Sequence, residues 1–259
     1  MVVSDTPTQL PDLSKLCLSS REDDESGGAD RDDDQAWFRA LAGGMPNAQV
    51  PTWKPWRSVS TADKRAFRVL ADRSENDRFS MGQYDAPYSQ TDIDVILAKR
   101  NWSIEHVVPR NHVLGRLPGA AEDDEFGWVI ETNVENGRRS DHPLVLWHTG
   151  AADATLVMHR GVRHYDFPDS EKGRLARKWV YIRALYGHTI DPMTSAQRAH
   201  LPEILNLASG RIGYAEGRFH AMLSQSVEER YGMAWKNPLF GQARKAILED
   251  ARLRRLLLR

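Results

Sequence analysis

The stretch Asn101–Pro109, reading NWSIEHVVP, constrains the fold of this chain more tightly than any other. Trp102, Ser103 and Ile104 alternate apolar, polar, apolar, the pattern of a half-buried strand. Pro109 then removes a ladder donor and ends it. Glu105 and His106 are left together at the strand end. In extended backbone neighbouring side chains point to opposite sides, so a carboxylate and an imidazole can flank one bound group. Such a pair suits in-line attack on a phosphodiester: the imidazole takes a proton from water on one side of phosphorus, and a carboxylate-held metal neutralises the departing oxygen on the other. Adjacent Glu and His are common by chance, so the downstream residues carry the argument.

Past a loop reading LPGAAEDDEFG, Trp128-Val129-Ile130 reads as a second short strand, and NVENGRRS (133–140) as a polar turn or helix. Strand, loop, strand and an Asn/Arg-bearing segment make a ββα unit. Further on, the spacing predicts a helix from about Asp169 to Tyr186 with Leu175, Trp179 and Ile182 on one face and Arg174, Lys178 and Tyr181 on another. The apolar stripe packs, and the basic side is expected to line a nucleic-acid groove. Gly173, inside it, marks a close backbone approach by a neighbour or phosphate, or a late helix start. Upstream, AWFRALAG reads as a short helix closed by Gly43-Gly44, and Trp37, Phe38, Trp53 and Trp56 as a flap. A helix from Thr61 buries Phe67, Leu70 and Ala71, and another through Asp92–Arg100 buries Ile93, Ile96 and Leu97.

The formal charge of −1 conceals an asymmetry: residues 1–50 hold ten acidic and four basic groups, a net of −6, which leaves +5 on residues 51–259. A basic body behind an acidic leader fits a polyanion-binding surface. Residues 1–35, with the block SSREDDESGGADRDDD, are expected to be a disordered acidic tail, and residues 36–259 a single domain. Cys17 is the only cysteine, which excludes an intramolecular disulfide and a cysteine-rich zinc site. No signal-peptide pattern is read, and no apolar stretch approaches the roughly 18 residues of a membrane helix. A soluble protein of an intracellular or particle-enclosed setting, without membrane contact, is expected.

Three segments resemble the endonuclease I family of the ββα-metal (His-Me finger) nucleases: Asn101–Pro109, Glu135–Ser140 (ENGRRS), and Phe167–Tyr186 (FPDSEKGRLARKWVYIRALY). A weaker echo lies at Lys236-Asn237-Pro238-Leu239, so the likeness spans about residues 95–245. The resemblance implies an α+β fold, a mostly helical body around a small β-ribbon that carries the active site. It implies His106 as general base, Glu105 and Asn136 as protein ligands of one Mg2+ (or Mn2+ or Ca2+), and Arg139 as holder of the scissile phosphate. Chemistry agrees: a neutral imidazole accepts a proton near working pH, two hard oxygens leave most of a magnesium shell to water and substrate, and a guanidinium gives phosphate two parallel donors. Where the family has a D-x-H-N-L-like stretch this chain reads WVIETNVEN, so Asn133 competes with Asn136.

The expected activity is metal-dependent, largely sequence-nonspecific endonucleolytic hydrolysis of single- or double-stranded DNA, and of RNA, leaving 5′-phosphate ends. Arg110, Arg138, Lys172, Arg174, Arg177 and Lys178 are the expected nucleic-acid contacts, and the acidic tail an inhibitory one. Two alternatives stand beside this: a nucleic-acid-binding or packaging protein without turnover, and a site-directed HNH-type enzyme of mobile DNA. The histidines beyond residue 106 are read as structural, the basic-aromatic cluster of Trp53, Lys54, Trp56, Arg57, Lys64 and Arg65 as core packing at least as readily as a strand-binding patch, and ARLRRLLLR at 251–259 as a docking helix.

Overall fold

The computed structural model describes residues 29–44, 48–55, 85–99, 101–112, 115–116 and 119–259. The leader up to residue 28, the helix expected from Thr61 and the aromatic-basic residues Trp56, Arg57, Lys64 and Arg65 lie outside the described residues.

The architecture is α+β and mostly helical. Helix α1 (Ala29–Gly43) and the short α2 (Ile93–Ala98) precede β1 (Trp102–His106), β2 (Asn111–His112), β3 (Gly115–Arg116) and the one-turn α3 (Gly119–Glu122). Then come β4 (Trp128–Thr132), α4 (Asn133–Arg139), the strands β5 (Thr155–His159) and β6 (Val162–Asp166), and the long α5 (Asp169–Tyr186). Helices α6 (Ser195–Ala199), α7 (Leu201–Ser209), α8 (Tyr214–Tyr231), α9 (Arg244–Glu249) and α10 (Ala251–Leu258) complete the chain. The described strands pair two by two, all antiparallel: β1 with β4, β2 with β3, β5 with β6.

The β1–β4 ribbon forms because Ile104, Trp128, Val129 and Ile130 are all buried, and burying such side chains contributes about 1.5–3 kcal/mol each. Its register sets Glu105 opposite Val129 and His106 opposite Trp128. Thr132 ends β4 and starts α4 at once, its hydroxyl accepting from the Glu135 N–H, a cap worth about 1 kcal/mol. Strand and helix are thus joined without a loop, and α4 is laid beside β1.

Helix α5 is the axis of the body. It packs against α7, α10, α1 and the 3-10 turns at Glu125–Gly127 and Pro238–Phe240. A Cβ on Gly173 would stand 3.1 Å from the Leu207 carbonyl of α7, so the close approach expected there is a neighbour's backbone. A polar chain ties the ribbon to this axis: the fully buried Asp124 accepts from the Phe126 N–H (3.0 Å) and from the Tyr181 and Tyr186 hydroxyls (2.9 Å each). Trp235 and Trp53 donate to those two tyrosines in turn, so every member is satisfied.

Two expectations are corrected here. Residues 29–35 do not belong to the disordered tail expected there, because α1 begins at Ala29 and Asp34 is buried, accepting from Arg255 and Arg259. Nor is the basic side of α5 an exposed face, although Arg174 and Arg177 border a pocket of about 430 Å³. Lys172, Arg174, Arg177 and Lys178 are all buried, and each is spent internally because a buried cation must be paired. Lys172 meets Asp166, Asp169 and Thr149, and Arg174 meets Glu171 and the Asp85 carbonyl. Arg177 grips Glu216 through Nε and Nη2 at 2.7–2.9 Å, and Lys178 donates to the Phe126 carbonyl. The C-terminal segment docks as read, with Leu253, Leu256 and Leu257 buried. No helix among the described residues is long and apolar enough to cross a membrane.

Candidate functional site

Alternation along β1 separates its side chains: Ser103 and Glu105 share one face, Ile104 and His106 the other. Helix α4 covers the first face with Asn136 and Arg139, three residues apart and therefore neighbours on the helix surface. Asn136 Nδ2 donates to Ser103 Oγ at 2.7 Å and to the Ile104 carbonyl at 3.4 Å. Arg139 Nη1 pairs with Glu105 Oε1. A step of two along the strand thus meets a step of three along the helix.

These bonds orient the oxygens. The Ile104 carbonyl can only accept, so the Asn136 nitrogen faces the strand and its Oδ1 is turned away from it. Among the described residues neither Asn136 Oδ1 nor Glu105 Oε2 takes a hydrogen bond; Glu105 Oε1 has Arg139 and, at 3.5 Å, the Tyr88 hydroxyl. Both residues line one pocket of about 380 Å³, together with Ser103, Arg110 and Asp141. Burial pushes the Glu105 carboxyl up to about 7, against the opposing pull of the Arg139 charge. A cation in the pocket would reverse that shift.

His106 is buried on the opposite face of the strand and belongs to the same pocket wall. Its Nε2 donates to the Glu122 carbonyl at 2.9 Å, and its ring lies edge-on to Trp128, centroids 5.7 Å apart. A carbonyl partner keeps the proton on Nε2, so Nδ1 is the basic nitrogen.

Arg139 departs from its expected role. It is 1 % exposed, and its donors go to Glu105, to the His106 and Val107 carbonyls (2.9 and 3.1 Å) and, through Nε, to the His142 carbonyl (2.9 Å). A guanidinium committed in this way holds the strand end in place and has no fork to offer a phosphate. Of the expected nucleic-acid contacts only Arg110 and Arg138 are at the surface, with side chains 43 % and 50 % exposed. Asn133 and Asn136 both line the pocket; Asn133 bonds to Asn101 at the far end of the ribbon (3.1 Å), and Asn136 to Ser103 beside Glu105.

The sequence reading passed over Ser103, which orients the asparagine, the Glu122 carbonyl, which orients the imidazole, and Asp141, which accepts from Asn111 at the pocket margin. Ser103 had a detectable signal, since it shares the Glu105 face. Elsewhere three histidines are held by structural partners, His164 by the Val162 carbonyl and Thr194, His148 by Asp169 and His200 by Glu203, whereas His159 Nε2 is buried without a hydrogen-bond partner among the described residues. No group of three His, Cys, Asp or Glu side chains able to hold a metal occurs among the described residues. No family model, curated protein or solved structure matches the chain.

Proposed function

We propose that this chain is a divalent-metal-dependent nuclease of the ββα-metal kind, cutting DNA, and RNA as well, with little sequence preference. The observation that carries the reading is the pair of unspent oxygens, Glu105 Oε2 and Asn136 Oδ1, on the walls of one pocket where β1 meets α4. One hard carboxylate and one amide oxygen fit a hard cation that keeps most of its shell for water and phosphate oxygens. Glu105 and Asn136 would hold Mg2+, or Mn2+ or Ca2+ in its place.

The bound ion would supply charge neutralisation at the phosphate and at the departing 3′ oxygen. The remaining work falls to the chain. His106, its tautomer set by the Glu122 carbonyl, takes a proton from the attacking water at Nδ1. The new P–O bond forms as the bond to the 3′ oxygen breaks, and that oxygen takes a proton from solvent, leaving a 5′-phosphate and a 3′-hydroxyl. Arg139 is a positioning residue that holds Glu105 and the His106 backbone in one frame. Arg110, at the pocket edge, draws in the polyanion by charge, so binding should weaken steeply with salt.

The test is degradation of supercoiled plasmid and of a single-stranded oligonucleotide by the native chain, with magnesium and with chelator, beside His106→Ala and Glu105→Gln. A smear with magnesium, none with chelator, and a loss of about 10²–10⁴-fold in His106→Ala are expected. Binding without nicking under either condition would establish the non-hydrolytic binding protein instead. Discrete bands would indicate a site-directed enzyme.

A further inference from the structure

Beside the proposed metal pocket lies a second cavity of about 610 Å³, within the roughly 300–1,000 Å³ of small-molecule sites. Asn111 and Asp141 line both, so the two are neighbours. The chemistry changes across that boundary. The first pocket is polar; the second is walled by Val107, Leu144, Val162 and Trp179. One cation is set among these apolar groups. Arg183 is 5 % exposed, its two Nη atoms both donate to the Asp191 carbonyl at 3.0 Å, its guanidinium lies over the Trp179 ring at 5.2 Å from the centroid, and its Nε is enclosed without an acceptor among the described residues.

We propose that this cavity takes one unstacked nucleobase of the strand whose phosphate lies in the neighbouring pocket, making single-stranded or locally opened nucleic acid the preferred substrate. The inference rests on the nuclease reading and adds a substrate class to it. A base has two flat apolar faces, which matches these apolar walls. A paired base in a stacked duplex exposes only its edges, so it must leave the stack to enter. The burial of Lys172, Arg174, Arg177 and Lys178 points the same way, since it removes the basic face along which a duplex was expected to lie. Two of the polar side chains that line the cavity are committed internally. Gln197 Nε2 is spent on the Leu144 carbonyl and its Oε1 on the Thr194 N–H, while Thr194 Oγ1 is shared between His164 and the Gln197 N–H.

The test uses the full chain with magnesium and a labelled single-stranded oligonucleotide, intact or carrying one abasic residue, with products mapped by position. Cleavage at the bond flanking the abasic residue should fall about tenfold, because seating one base is worth about 1–3 kcal/mol and each 1.4 kcal/mol is a factor of ten. The same oligonucleotide annealed to its complement should be cut more slowly. Equal cleavage beside the abasic residue would overturn the base site and leave the nuclease reading intact. Should the chain cut nothing, the nuclease reading fails, and the cavity is judged on binding of adenosine and uridine 5′-monophosphates by calorimetry. Saturable binding by the native chain and by Glu105→Gln, abolished when Val162→Trp or Val162→Arg fills the half-exposed mouth, supports the site. Absence of binding by the native chain, or binding unchanged in whichever of the two variants keeps the native far-ultraviolet spectrum, refutes it.

Discussion

Ser140, which follows α4, holds φ 49° and ψ −125°, a region that side chains avoid and glycine does not. It is the first central residue of a turn closed by the His142 N–H on the Arg139 carbonyl at 3.1 Å. That turn brings the His142 carbonyl back to Arg139 Nε, so the strain supports the clamp on Glu105. Ser140→Gly is therefore expected to stabilise the chain by about 1 kcal/mol, raising the melting temperature by roughly 2–4 °C. A calorimetric scan showing no rise would mean that the turn costs serine nothing. At this scale the sequence reading reached positions but not commitments. Glu105, His106 and Asn136 could be singled out from a strand end and a helix start. That Arg139 is consumed by Glu105, 34 residues away, leaves no local trace, because a guanidinium meant for phosphate and one meant for a buried carboxylate look alike in a sequence.

Helix α5 shows the same limit one level up. Its boundaries and apolar stripe are readable from spacing, but its second face was expected to be wet and is dry. Periodicity reports where apolar residues recur; it does not report that Glu216 and the Phe126 carbonyl arrive from distant elements, and Asp166 from the end of β6, to accept from these cations. Arg177→Ala should therefore act on stability, losing about 3–5 kcal/mol because Glu216 is left as a buried, unpartnered charge. Urea denaturation measures this, and a variant as stable as the native chain but impaired in nucleic-acid binding would restore the groove interpretation. The β1–β4 ribbon and α4 were readable because their signals are local: alternation, then a threonine cap. The β5–β6 hairpin was not read. Leu156, Met158 and Val162 lie on its exposed surface, so no buried-exposed alternation marks it. Its two-residue turn, Arg160 and Gly161 at φ 50° and 78°, left one glycine as the whole signal.

For the whole molecule, acid stability has an identifiable contributor. His220 stacks on Phe240 with centroids 4.2 Å apart, and burial there, with the Lys178 and Lys236 charges nearby, pushes its pKa down to about 3. An unfolded chain binds that proton near pH 6.5. A base depressed in the folded state contributes stability that is complete above the unfolded value and is lost as pH falls from about 6.5 towards 3. His220→Phe should flatten that limb relative to the native chain when denaturation midpoints are compared between pH 7 and pH 5; parallel curves would assign the loss to other groups. The charge asymmetry of the sequence does not foretell that Asp34, counted in the acidic leader, is a structural ion-pair partner of Arg255, 221 residues away. Contacts of that span have no local pattern to betray them, and they are slow to form. A nascent chain must therefore carry α1 with Asp34 still lacking these two arginines until residues past 250 have left the ribosome. A molecule interrupted before that point would keep a carboxylate whose cations were never made, and its first helix would stay undocked where chaperones and proteases reach it.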